Sequence, residues 1–367
     1  MPIRFVDAGT LPHPQSQTIY HAVAHARGPD TPDTIIVATP GDPYVCIGYH
    51  QDLEREVDVD YCRTRGLPIV RRELGGGAVY LDRNQLFVQW VMGEARLPLR
   101  IEQRFEMFAR PIEATYATLG IDARFRPVND IHVGGRKICG TGAAQIGHAA
   151  VLVGNFLFDF DTETMARCLR VPDEKFRDKV HKSLDEYMTT MARELAGSPG
   201  GVPSETTVKA RYRAACERAF GEPLVDGALT DDELCTMASL DTKFTSADFL
   251  HQPGGLERPG IKIHEDVWVR ESTVKAPGGL IRVSARTNGD RLEDVTLAGD
   301  FVAVPSEGIA DLETALTGSI LQRDRIDDIV QTAYRQGIET PGVETTHWVD
   351  AIMGLLLATT KEIEDVR

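Results

Sequence analysis

Three consecutive glycines, Gly75-Gly76-Gly77, stand between two apolar segments at residues 68–72 and 86–92. Such a run belongs to neither a helix nor a packed strand, because glycine loses the most backbone freedom on ordering and has no side chain to bury. The flanking segments therefore read as short strands joined through a glycine turn. An arginine pair, Arg71-Arg72, lies immediately upstream. Glycines let backbone N–H groups approach a ligand closely, and a guanidinium suits phosphate or carboxylate, so the block reads as an anion-binding nest. A tight turn beside a surface arginine pair accounts for it too. No Gly-Lys-Ser/Thr follows, and the dinucleotide-binding glycine spacing is absent.

Around this block the chain alternates strand and helix signals. Residues 34–38 and 44–48 read as strands about a Pro/Gly turn, 57–64 as a short polar helix, and 104–119 as a helix with apolar positions at Phe105, Phe108, Ala109, Ile112, Tyr116 and Leu119. Pro111 should kink that helix or open a new first turn. Strands are expected at 131–133, 136–139 and 156–160, and helices at 162–169 and 208–220. The polar tract Ala196-Gly197-Ser198-Pro199-Gly200-Gly201 reads as a loop. Five of the ten residues His251-Gln252-Pro253-Gly254-Gly255-Leu256-Glu257-Arg258-Pro259-Gly260 are glycine or proline, which marks a linker. Beyond it, strands at 267–269, 280–285 and 292–297 form a small meander, with helices at 309–316 and 325–334. The pattern is α+β, with a first domain at 1–250 and a second at 261–367.

A length of 367 residues suits two domains. The net charge of −15 argues against nucleic acid as the main partner, since phosphate neutralisation needs clustered Lys and Arg. The basic pairs that exist, Arg71-Arg72 and Arg136-Lys137, adjoin glycines and fit one small anion. No apolar run is long enough to span a bilayer, and the first residues show no secretory signal; a cytoplasmic protein without a membrane partner is expected. Six widely spaced cysteines without a Cys-x-x-Cys pair indicate buried free thiols rather than disulfides or zinc.

The second chemical signal is Asn129-Asp130-Ile131-His132-Val133-Gly134-Gly135-Arg136-Lys137-Ile138-Cys139-Gly140-Thr141. Gly134-Gly135 is a good two-residue hairpin turn, which pairs Val133 with Arg136 and His132 with Lys137. Cross-strand partners share a face, so Asp130, His132, Lys137 and Cys139 are expected to project together. A lysine beside an aspartate, followed by a glycine turn, could hold an acyl phosphate or adenylate and a cation. An exposed hairpin with a solvated lysine is the plain alternative.

Taken together, Arg71-Arg72-x-x-Gly75-Gly76-Gly77-Ala78-Val79 and Asn129 through Thr141 resemble the lipoate–protein ligase family, within the group that includes biotin–protein ligases and octanoyltransferases. The likeness continues through Ile47-Gly48-Tyr49-His50-Gln51, residues 154–161 and, past the linker, 274–283 and 297–301. It implies a mixed-sheet catalytic domain of the biotin/lipoate ligase type with a small α+β accessory C-terminal domain. It also implies an enzyme that forms lipoyl-AMP from lipoate and ATP, then transfers the lipoyl group to a lysine of an acceptor lipoyl domain. By resemblance, Lys137 is the catalytic lysine at the acyl carbonyl and phosphate. Arg72, Gly75, Gly76 and Gly77 line the acyl-adenylate pocket, Val79 and Tyr80 meet the adenine, and Asn129 and Asp130 lie near the phosphate, with Gly140 and Thr141 closing the motif. Mg²⁺ is expected at Asp130.

The chain departs from the family pattern at Leu81-Asp82-Arg83-Asn84-Gln85, at Ala144 in place of an arginine, and at Val153 in place of a histidine. These positions bear on acyl-chain preference. Two rival readings stand beside the ligase. One is an octanoyltransferase working through a cysteine thioester, with Cys168 as the candidate nucleophile. The other is a non-catalytic protein that binds lipoate or nucleotide.

Overall fold

The computed structural model describes residues 1–171, 174–252, 262–264 and 267–357. It divides into two compact units. The first comprises residues 1–47, 53–72 and 78–250. The second comprises 251–367 together with two short segments from the N-terminal part, 48–52 and 73–77. From residue 253, the expected linker lies outside the described residues.

The first unit contains strands β1 (Arg4–Leu11), β2 (Thr34–Pro40), β3 (Tyr44–Ile47), β4 (Ile69–Arg71), β5 (Val79–Leu81), β6 (Gln85–Gly93), β7 (Arg124–Arg126), β8 (Asp130–Val133), β9 (Arg136–Gly140), β10 (Gly142–Ile146), β11 (Ala149–Leu157) and β12 (Val225–Asp226). Its helices are α1 (Gln15–His25), α2 (Leu53–Glu56), α3 (Val59–Arg65), α4 (Ile101–Thr118), α5 (Thr162–Cys168), α6 (Glu174–Tyr187), α7 (Met191–Glu194), α8 (Glu205–Phe220), α9 (Asp231–Thr245) and α10 (Ala247–Leu250). Six strands form a mixed sheet in the order β10-β11-β6-β2-β1-β12, with β1 parallel to β2 and β12 and the other pairs antiparallel.

Strand alternation sends neighbouring residues to opposite faces of that sheet. On β6, Gln89 donates to the Ser16 carbonyl at the start of α1, 3.0 Å away. The next residue, Trp90, donates its indole N–H to the Tyr212 hydroxyl on α8 at 2.9 Å and meets Phe108 of α4 edge-on at 5.0 Å. Helix α1 thus covers one face and α4 with α8 the other, and both faces of β6 are buried. Two three-stranded sheets, β4-β3-β5 and β7-β8-β9, carry the motif residues.

Two sequence expectations change here. Helix α4 runs continuously through Pro111, so of the kink or new first turn expected there the new turn does not occur. The strand expected at 156–160 is instead Ala149–Leu157, because pairing with β6 extends from Ala149 opposite Gly93 to Leu157 opposite Gln85.

In the second unit, β13 (Lys262–His264), β14 (Val267–Ala276), β15 (Gly279–Asn288) and β16 (Arg291–Gly299) form an antiparallel meander. Helices α11 (Gly308–Leu316), α12 (Arg323–Arg335) and α13 (Thr345–Met353) accompany it. Ile281, Val283, Leu297, Phe301 and Trp348 are fully buried in its core. The Glu313 carboxylate accepts the Leu297 N–H at 2.6 Å, and burial raises its pKa to about 7.

Candidate active site

The hairpin β8–β9 turns where expected. Gly134 and Gly135 have φ of 55° and 87°, conformations that favour glycine, and Val133 pairs with Arg136 and His132 with Lys137. The register then shifts: Ile131 pairs with Cys139 and Asp130 with Gly140, leaving Ile138 as the extra residue. Burial of Ile138 accompanies this shift. Asp130, His132 and Lys137 consequently share one face, as expected. Cys139 does not join them. It lies opposite Ile131, fully buried, and its thiol is pushed up to about 12 by that burial.

The Lys137 ammonium stands 2.7 Å from Asp130 Oδ1, and both side chains are partly exposed. Gly140 makes room for it, since a Cβ there would lie 3.1 Å from Lys137 Cε and Nζ. The second Asp130 oxygen accepts the Tyr187 hydroxyl at 3.2 Å and lies 3.7 Å from His132 Nε2. Asn129 and Thr141 clasp the end of the hairpin: Asn129 Nδ2 donates to the Thr141 carbonyl at 2.7 Å, and Thr141 Oγ1 returns a bond to the Asn129 carbonyl at 2.6 Å. Asn129, Asp130, Lys137, Gly140 and Thr141 are thus brought together.

Val79 and Tyr80 belong to the small sheet β4-β3-β5, and Arg72 directly follows β4. Arg72 is buried and donates to the Cys46 carbonyl at 3.3 Å. Val79 is exposed, while Tyr80 is buried beside Phe160. The neighbouring Arg71 is not part of an exposed anion site. It is fully buried and donates to the carbonyls of Phe249 and Leu250 at 2.8 and 2.5 Å.

The glycine block forms a third group, in the second unit. The Gly76 N–H donates to the Phe301 carbonyl at 3.0 Å, so this amide is not aimed at an anion as a nest would require. The glycines answer a packing need here. A Cβ on Gly75 would come within 2.5 Å of the Phe301 oxygen, and one on Gly48 within 1.9 Å of the Gly76 oxygen. The Gly299 N–H donates to the His50 carbonyl at 2.9 Å, and the His50 ring stacks on Phe301 at 5.0 Å.

Residues 15–214 match the family described as lipoyl protein ligase A/B catalytic domain, more than half of the chain. The chain belongs to this family. It is an enzyme of the lipoate-ligase type. Lipoate-protein ligase LplJ of Bacillus subtilis is 30% identical over 294 residues, covering 79% of this chain and 82% of that protein. Lipoate-protein ligase A subunit 1 of Thermoplasma acidophilum is 36% identical over 165 residues, 41% of this chain; the match spans 60% of that protein's length. Octanoyltransferase LipM of Kyrpidia tusciae is 28% identical over 253 residues, 62% of this chain and 89% of that one. Among solved structures, the bipartite lipoate protein ligase of T. acidophilum, described with its E2 lipoyl domain, superimposes with a TM-score of 0.61 at 25% identity over 71% of this chain and all of that one. The α+β fold with a mixed sheet is that of lipoate ligases.

Within this ligase-type fold, Cys168 makes a poor nucleophile. The thiol is buried at the end of α5 in one cluster with the equally buried Cys62, and that burial disfavours its thiolate. A nucleophilic cysteine needs the opposite. One residue of the site was not legible in the sequence: no spacing links Tyr187, the last residue of α6, to Asp130. Among the described residues, no helix is long and apolar enough to cross a membrane.

Proposed function

We propose that the chain is an ATP-dependent lipoate–protein ligase. A lipoate carboxylate oxygen attacks the α-phosphorus of ATP, forming lipoyl-AMP and releasing pyrophosphate. The amine of an acceptor lysine then attacks the lipoyl carbonyl, an amide forms, and AMP leaves with the bonding pair. The observation that carries this reading is the Lys137 ammonium, fixed on a hairpin face by Asp130 and given passage by Gly140. A preorganised cation of this kind stabilises negative charge as it develops on phosphate and carbonyl oxygens.

In this reading Arg72 belongs to the acyl-adenylate pocket, and Val79 and Tyr80 to the adenine end. Asn129 and Thr141 hold the phosphate end rigid through their mutual hydrogen bonds. The acceptor is a lipoyl domain, by analogy with the archaeal ligase described with one. The protein works in the cytoplasm, and its charge of −15 suits no nucleic-acid role. A Mg²⁺ at Asp130 would share that carboxylate with Lys137 on Oδ1 and Tyr187 on Oδ2, using the lone pairs they leave.

Octanoyl transfer without ATP is the second reading, supported by the similarity to LipM and opposed by the burial of Cys168. ATP–pyrophosphate exchange with lipoate, octanoate and biotin in parallel separates the two. Lipoate-dependent exchange supports the ligase. Absence of exchange, together with an acyl-thioester mass on the protein, overturns it.

A further inference from the structure

We propose that Tyr187 is a positioning residue for Lys137, acting through Asp130; the inference rests on the role given to Lys137 above. An ion pair made through one carboxylate oxygen leaves the carboxylate able to pivot, and the ammonium pivots with it. A second donor on the other oxygen removes that freedom. Tyr187 supplies it, with its hydroxyl 3.2 Å from Asp130 Oδ2 while Lys137 holds Oδ1 at 2.7 Å.

The phenol is itself held in place on two sides. Edge-to-face packing places the His132 ring 5.7 Å from the Tyr187 ring at 75°, and His132 Nδ1 is anchored to the Gly135 carbonyl at 3.0 Å. Just past Tyr187, Met188 bridges to Lys137 in parallel fashion, and the Thr189 N–H donates to the Lys137 carbonyl at 2.8 Å. The segment that delivers the phenol is therefore registered on the backbone of the residue it positions. Tyr187 is 41% exposed, so it adds little to the core.

Tyr187→Phe removes one oxygen and keeps the ring. Loss of a hydrogen bond to a charged group should lower kcat for lipoate-dependent ATP–pyrophosphate exchange about tenfold, with the KM values for lipoate and ATP unchanged. Competitive acetylation read by mass spectrometry gives a second measure, independent of activity. Lys137, compared with the other lysines of the same chain, should react severalfold faster once its carboxylate can swing away. Wild-type kcat and wild-type Lys137 labelling in the variant would overturn the proposal. So would a loss of kcat with labelling unchanged, which assigns Tyr187 to substrate directly, or a matching fall in melting temperature, which assigns it to the fold. Faster labelling in a protein whose wild type shows no exchange would leave the positioning role standing and remove the ligase reading instead.

Discussion

The Lys137 side chain passes over Gly140 so closely that a single methyl group there would lie 3.1 Å from its Cε and Nζ. That spacing is tighter than ordinary contact, and the flexible lysine rather than the backbone would give way. Gly140→Ala is therefore expected to leave the melting temperature nearly unchanged and to move the ammonium off Asp130. Exchange activity should fall by about tenfold or more, since a displacement of this size at a reacting group is costly. Wild-type exchange in Gly140→Ala would show that the path of Lys137 is not critical.

Removal of the cation itself should cost more. Lys137→Ala is expected to fold normally, because the side chain is partly exposed and the hairpin is held by backbone pairing. Loss of one preorganised charge-stabilising group typically costs about 3–4 kcal/mol, or roughly a hundredfold to a thousandfold in rate. Circular dichroism and pyrophosphate exchange on the same preparation check both halves. Retention of a third of wild-type exchange would remove Lys137 from the catalytic role.

Cys168→Ser should keep full ligase activity. The thiol is buried beside the Cys62 thiol, and burial disfavours its thiolate form, so no acyl group is expected to pass through it. Intact-mass measurement after incubation with lipoate and ATP should find no thioester on the wild type. An inactive serine variant, with an acylated wild type, would reverse the assignment.

Glu313 predicts a pH dependence in the second unit. Its folded pKa of about 7 lies above the ordinary 4.5, mainly because of burial, with the Asp294 charge adding to it. The folded state therefore binds this proton more tightly than the unfolded state does. Stability is greatest below pH 4.5 as far as this group is concerned, falls as pH rises toward 7, and stays lowered above that. Glu313→Gln keeps an acceptor for the Leu297 N–H and removes the buried charge. It should raise stability at pH 8 by on the order of 2 kcal/mol and change it little at pH 5. Urea unfolding at the two pH values tests this, and equal effects at both would contradict the shift.

The parts legible in the sequence were those governed by local rules. Gly134-Gly135 specified a tight hairpin, and the lysine and aspartate on its face followed from strand geometry. The bulge at Ile138 was not legible, because it reflects the core that Ile138 and Cys139 enter rather than any turn residue. Strand β1 is not legible in the sequence because its register shifts between Asp7 and Gly9, which breaks the alternation that marks a strand. Helix α1 starts after Pro14 without a side-chain cap, so its beginning carried no signal. Taken locally, the glycine block offers only amides that could bind an anion. Its tightest neighbour, Phe301, lies more than two hundred positions away, and no short-range pattern reports such a partner.

The second unit recruits 48–52 and 73–77 from the N-terminal part of the chain, which makes it a discontinuous assembly rather than a detachable tail. Residues 251–367 produced alone would lack the peptide that accepts the Gly299 N–H and the one that donates to the Phe301 carbonyl. Such a fragment would be an incomplete fold seeking its missing pieces. A chain cut within the glycine- and proline-rich stretch should therefore leave the C-terminal fragment disordered until the N-terminal fragment restores those two segments.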